Sequence, residues 1–311
     1  MKNTISGQFP FKIRKKVYFF FVFMFLVIFS LLAFEKNKQE RKLNVVFGIN
    51  NRYVDYAKVA IDSIVTNNVS GSHYVFWILS TDISDENKKK MKKYAQSVNQ
   101  EIVFVTIDSK YTEKWNKMSS FWPSIIMARL LIPEVLPQSV KKALYLDADV
   151  LVAEDLKNLF DINVENYYAA MVEDAVPQLH QLELLKGRKY ANSGVILFNL
   201  NKMRQDKIPQ LLWKYLDENF ERFSCKEGPS CYTFKDQDLI NLVLKDGIKF
   251  IDLKWNNQDL MKWQDVSDSN REGIYHFVSS ENKPWVSIKS GAHELWIHQE
   301  ILLRQRERKG L

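Results

Sequence analysis

Leu144-Tyr145-Leu146-Asp147-Ala148-Asp149-Val150-Leu151-Val152 is the stretch whose reading decides the fold. Lys142–Leu146 is a short apolar run of strand length, and a second apolar run follows the two acids. Two carboxylates spaced two apart at the carboxyl end of a buried strand can converge on one hard cation. Open α/β sheets bind ligands at that end. The competing reading is a surface turn with a helix cap, since a lone Asp-x-Asp is common by chance.

Working outward, Leu43–Gly48 reads as a first buried strand ending in the polar Asn50, Asn51 and Arg52. Residues 53–65 carry helical periodicity, with Val54, Ala57, Ala60, Ile61 and Ile64 on one face. Strands are predicted over 74–79, 102–107, 167–172 and 195–199, and helices over 84–98, 124–131, 208–220, 237–244 and 293–309. The lysines of 84–98 read as a solvated face. The alternation predicts an α/β domain with a mixed, mainly parallel sheet flanked by helices. Past Trp255 the pattern becomes irregular before the basic closing helix, whose Arg304, Arg306, Arg308 and Lys309 suit either anionic lipid or plain solvent.

The chain has 311 residues, 46% hydrophobic and 26% charged, with a net charge of +7. This balance suits a folded domain with an anionic partner. Neither zinc-finger spacing nor an aromatic RNA-binding signature is present, so nucleic acid is not expected. Cys225 and Cys231 are the only cysteines; they could close a small ring or remain thiols, according to compartment.

Residues 17–34 are uncharged and almost wholly apolar, and would span about 27 Å as a helix. Lys12, Arg14, Lys15 and Lys16 precede them. The sequence therefore divides into a basic tail (1–16), a transmembrane anchor (17–34), a short stem (35–42), a catalytic core (43–254) and a C-terminal segment (255–311). A cleaved signal peptide is the alternative, but Phe34-Glu35-Lys36 offers no small-x-small cleavage site. A single-pass membrane protein is expected: type II in the Golgi or secretory pathway, as the Asn68-Val69-Ser70 sequon suggests, or at a bacterial inner membrane, which the short stem also fits.

Four further groups carry chemistry. His276 could complete a cation's shell, or be a structural histidine. Lys283 could neutralise phosphate, or be solvated. Asp236-Gln237-Asp238 opens a helix, where acids are often only caps. Asn192-Ser193-Gly194 precedes a strand, where glycine permits close backbone approach to a ligand, or makes an ordinary turn.

Taken in order, these pieces resemble glycosyltransferase family 8: Val45-Val46-Phe47, Ala128-Arg129-Leu130, the Asp147/Asp149 stretch, Asn192-Ser193-Gly194-Val195, Asp236-Gln237-Asp238, and His276 with Lys283-Pro284-Trp285. The resemblance implies a GT-A fold and retaining transfer of a hexose, galactose or glucose, from a UDP-sugar to a glycan or glycolipid hydroxyl, forming an α-linkage. Asp147, Asp149 and His276 would hold Mn²⁺ or Mg²⁺. Lys283 would contact the diphosphate, Arg129 and Asn192 the donor sugar, Asn50 and Tyr53 the uridine. Gln237 would lie beneath the anomeric carbon, and Asp236 would bind sugar hydroxyls. Three differences stand out. Ser279 replaces a family glycine, and the gap from His276 to Lys283 is one residue longer, so the loop must bulge. Asn50 stands where related enzymes often carry Asp. Glu173 and Asp174 both sit near the expected acceptor-facing acid. The other function classes are a nucleotide-sugar hydrolase or pyrophosphorylase and a non-catalytic nucleotide-sugar-binding protein. A pyrophosphorylase would usually show a Gly-rich phosphate loop, which Asn50-Asn51-Arg52 is not.

Overall fold

The computed structural model describes residues 42–118, 124–175, 185–225, 231–232 and 234–309, together with Met24. The expected basic tail, and but for Met24 the anchor and but for Lys42 the stem, lie outside the described residues. Lys42–Leu311 form one compact unit. Among the described residues no helix is long and apolar enough to cross a membrane.

Nine strands are described: β1 Leu43–Gly48, β2 Tyr74–Ser80, β3 Glu101–Thr106, β4 Lys142–Leu146, β5 Val150–Val152, β6 Ala169–Glu173, β7 Ala191–Asn199, β8 Ile248–Phe250 and β9 Ile274–His276. Seven form one sheet in the order β3-β2-β1-β4-β7-β6-β8. β3, β2, β1 and β4 run parallel, β7 is antiparallel to β4 and β6, and β8 is parallel to β6. The mixed, mainly parallel sheet expected from the alternation is what forms. Strand alternation splits the interior into two cores. Val45, Phe47, Leu144 and Leu146 face one, while Val46, Ala143 and Tyr145 face the other. Burial on both faces explains why β1 and β4 read as unbroken apolar runs.

The helices Val54–Thr66 and Asp85–Ser97 carry the chain from β1 to β2 and from β2 to β3. The predicted apolar face of the first, from Val54 to Ile64, is buried. Ser84 caps the second. At β1 and β4 the order of connection reverses, so the crevice for a ligand lies at their carboxyl ends.

Three local differences have physical causes. Asn192-Ser193-Gly194, expected before a strand, are its first rungs. The Asp147 N–H donates to the Gly194 carbonyl at 2.8 Å, extending the β4–β7 ladder, and Asn241 bonds both backbone groups of Ala191. The helix expected over 208–220 breaks at Asn219 (φ −120°) into Ile208–Glu218 and Phe220–Ser224. In the stretch expected to be irregular, β9 pairs antiparallel with β5, setting His276 opposite Val150.

Cys225 and Cys231 are disulfide-bonded. The closing helix Gly291–Arg308 packs on Val54–Thr66. Arg306 there is ion-paired with buried Asp62, and Arg304 with Glu300 within its own helix. Arg306 is therefore partly engaged in helix packing.

Candidate active site

The end of β4 launches the site. Leu146 is the last paired rung, and the chain turns through Asp147-Ala148-Asp149 into β5. Pairing of β5 with β9 brings His276 back, and the Phe277 N–H donates to the Asp149 carbonyl at 3.0 Å. His276 Nε2 stands 3.6 Å from Asp147 Oδ2 and 3.5 Å from Asp149 Oδ1. These spacings exceed the about 2.7–2.9 Å of a charge-assisted hydrogen bond. Ligand atoms of the three residues lie within 4.8 Å of one another. Hard carboxylate oxygens with one imidazole suit a divalent cation such as Mn²⁺ or Mg²⁺.

Each carboxylate is steered by its second oxygen. Asp147 Oδ1 accepts from Arg129 at 2.9 Å and from the Tyr145 hydroxyl at 2.6 Å. Asp149 Oδ2 is ion-paired with Lys283, which also donates to the Phe277 carbonyl at 2.5 Å. Burial opposes the charge on Asp149. The Lys283 ammonium beside it leads the opposing effects, and the carboxyl is held well below the usual carboxylate range.

The loop to Lys283 contains a 3-10 turn, Ser280–Asn282. Ser279, at φ −91° and ψ 153°, is extended backbone with no need of glycine. Trp285 stacks on Tyr56 at 3.6 Å, fastening the loop to the helix Val54–Thr66. Tyr53 stands edge-on to the same Trp285. Burial, and then the charge of Asp149, raise the Tyr53 hydroxyl's pKa, with Lys283 pulling the other way. Asn50 caps the turn Asn51–Tyr53 through the Arg52 N–H at 3.1 Å.

Arg129 points inward. It donates to Ser193 O and Oγ at 2.6 and 3.0 Å, pairs with Asp147, and lies 3.0 Å from Asp236. Burial works against its charge, and Asp147 and Asp236 more than offset it. Its geometry fixes two carboxylates; its expected contact with the donor sugar has to share a guanidinium already engaged on several sides. Burial lifts the Asp236 carboxyl to about 6, with Arg129 pulling it back in part. Gln237 Oε1 accepts from the Ser193 N–H at 2.9 Å, and its amide nitrogen donates to Asp174 at 3.1 Å. Asn192 donates to the same Asp174 oxygen at 3.1 Å.

Three features were not visible in the sequence. Asp174, not Glu173, joins the site: Glu173 is exposed and paired with Lys189 at 2.7 Å. Asn256 lies 2.9 Å from His276 Nδ1. Gly194 makes room for the histidine rather than for a ligand, because a Cβ there would stand 2.0 Å from His276 Cε1.

A carboxylate pair and a histidine at the carboxyl edge of a Rossmann-like sheet, with a lysine and an amide facing the same crevice, define a GT-A-type glycosyltransferase. Residues 44–289 match glycosyl transferase family 8, and the chain belongs to that family. Over 261 residues it is 26% identical to the lipopolysaccharide 1,2-glucosyltransferase of Escherichia coli K12, covering 78% of this chain and 72% of that one. Over 285 residues it is 23% identical to the lipopolysaccharide 1,3-galactosyltransferase of Salmonella typhimurium, covering 84% and 81%. The fold matches that of the galactosyltransferase LgtC, solved with donor and acceptor sugar analogues, with a TM-score of 0.69 at 21% identity over 86% of this chain and 100% of that one.

Proposed function

We propose that this glycosyltransferase moves a hexose, galactose or glucose, from a UDP-sugar to a hydroxyl of a glycan or glycolipid, with a divalent cation and retention of the α-configuration. The observation that carries the reading is the convergence of Asp147 Oδ2, Asp149 Oδ1 and His276 Nε2 beside Lys283, at the point where the sheet's connection order reverses. The names of the lipopolysaccharide glucosyl- and galactosyltransferases support the hexose and the glycolipid.

A divalent cation held by the three residues supplies charge neutralisation for a departing diphosphate. The chain does the rest. Lys283 leaves Asp149 to meet the diphosphate as a second positive charge. Asn50 and Tyr53, at the end of β1, receive the uridine. Arg129, Asn192 and Asp236 shape the sugar pocket. Gln237, oriented by Ser193 and Asp174, sets its amide oxygen beneath the anomeric carbon. The acceptor hydroxyl attacks from the face that the diphosphate leaves, and the leaving phosphate takes its proton. Residues 17–34 anchor the chain in a membrane, of a secretory compartment or of a bacterial inner membrane, which keeps the domain near a lipid-borne acceptor.

The test is turnover of UDP-galactose, UDP-glucose, UDP-xylose and UDP-N-acetylglucosamine by the full chain with Mn²⁺. One donor should release UDP slowly, and chelation should abolish the release. Asp149→Asn should lower it by more than the about 10–100-fold typical of a residue that only supports a metal ligand, with thermal melting little changed. Full activity in that variant would end the metal assignment, and no turnover of any donor would end the transferase reading.

A further inference from the structure

The hydrogen bonds behind His276 have one permitted direction, and the backbone sets it. The Gly194 N–H lies 2.9 Å from a side-chain terminus of Asn192. A backbone amide only donates, so that terminus is the Asn192 oxygen. Asn256 approaches the same oxygen at 2.9 Å, and must do so with its NH₂. Its other terminus is then the oxygen, 2.9 Å from His276 Nδ1, so Nδ1 carries the proton. In the neutral ring the lone pair is left on Nε2, the atom that faces Asp147 and Asp149. On the far side, the Ser193 N–H fixes the Gln237 oxygen in the same manner, so Gln237 and Asn192 both donate to Asp174.

Asn256 is the shared link. It is wholly buried and ends the turn Leu253–Asn256. Its segment is tied alongside β9: the Asn257 N–H donates to the Ile274 carbonyl at 2.8 Å, and the His276 N–H to the Asn257 carbonyl at 2.9 Å. A reversed amide anywhere in the run would face donor with donor or acceptor with acceptor, each at a cost of about 1–3 kcal/mol for a buried group.

We propose that Asn256 is a positioning residue with two separable tasks, which rests on the function proposed above. Its oxygen fixes the His276 tautomer that can bind a cation, and its NH₂ orients Asn192, and through Asp174 the catalytic amide of Gln237. The metal cluster and the sugar pocket thus share one side chain that touches neither ligand.

The experiment measures Mn²⁺ binding alone, by the electron paramagnetic resonance signal of free Mn²⁺, and UDP-sugar turnover at saturating Mn²⁺, on full-length wild type, Asn256→Ala and Asn256→Asp. Asn256→Ala removes both tasks and should bind Mn²⁺ about 10–100-fold more weakly. Asn256→Asp keeps an acceptor for Nδ1 but cannot donate to Asn192. It should bind Mn²⁺ more tightly than Asn256→Ala, by about tenfold or more, yet lose about tenfold or more in turnover even when metal is saturating. Mn²⁺ binding by Asn256→Ala equal to wild type overturns the proposal, as does Asn256→Asp binding no better than Asn256→Ala. Should Asn256→Ala not fold, Asn256→Asp decides alone: metal retained with turnover lost supports the two tasks, and any other pairing overturns them. Wild type that binds Mn²⁺ but turns over no UDP-sugar defeats the proposed transfer instead, and the ratio of Mn²⁺ affinities in the two variants still judges the tautomer.

Discussion

The acids of two regions of this protein sit in opposite chemical situations. Asp62, on the helix Val54–Thr66, accepts from the Tyr94 hydroxyl, from Gln299 at 2.5 Å and from Arg306. Thr66 takes up further donors from Gln299 and Arg306, and Lys58 pairs with Glu307 at 2.5 Å. There donors from the closing helix and from Tyr94 meet the Asp62 carboxylate. At the end of β4 the chain instead points Asp147 Oδ2, Asp149 Oδ1 and His276 Nε2 at one another. With Nδ1 protonated, a neutral His276 adds a third lone pair to two carboxylates. A network that closes on itself joins helices; one that converges acceptors without a donor between them could hold a cation. The direction of the hydrogen bonds tells the two apart.

The contrast can be broken in three places. The largest effect is expected from Gly194→Ala, whose Cβ would drive into the His276 ring. Overpacking of this kind costs about 1–3 kcal/mol, and displacement of the ring should cost about 10–100-fold or more in Mn²⁺ affinity and UDP-sugar turnover. Metal affinity unchanged in that variant would mean the ring is not where the cation binds. Asp62→Ala comes next. It leaves the Tyr94 hydroxyl and the Gln299 amide, both on buried residues, without their shared carboxylate, a loss of about 1–3 kcal/mol that urea denaturation would read, while Mn²⁺ affinity stays at the wild-type value. A parallel fall in Mn²⁺ affinity would show that the two networks are one. The smallest effect concerns His293, whose Nε2 is bonded to the Asn282 carbonyl and Nδ1 to Ser290, just behind the Lys283 loop. Burial lowers its pKa below 6.5, with the Asn282 carbonyl opposing in part. The unfolded chain therefore takes up this proton first, so the stabilisation present above pH 6.5 declines as pH falls toward the lowered value. Thermal melts from pH 7.5 down to pH 5 should show a steeper decline for wild type than for His293→Gln; equal slopes would remove His293 from the account.

What the sequence revealed follows the range of the interactions. β1 and β4 were legible because burial on both faces leaves continuous apolar runs. Asp147 and Asp149 were legible because their spacing is local. His276 had no local signal of its role and was placed by resemblance, since its position depends on β9 pairing with β5. Asn256 was missed because nothing in Trp255-Asn256-Asn257 distinguishes a buried amide from a surface one. Asp174 and Glu173 could not be separated because strand alternation, bulged between Met171 and Glu173, decides which of the two faces the crevice. The role of Gly194 was misread for a related reason: the atom it must clear belongs to a ring from a distant segment.

That distance has a consequence during synthesis. The pairing of Lys283 with Asp149 joins residues 134 apart. At about 5–20 residues per second, the two carboxylates leave the ribosome on the order of ten seconds before the histidine and lysine that complete the site. A growing chain that has reached Phe250 holds the whole seven-stranded sheet but neither His276 nor Lys283, so competence to handle the sugar donor is conferred only once Lys283 has been added, and a cut before His276 is enough to revoke it.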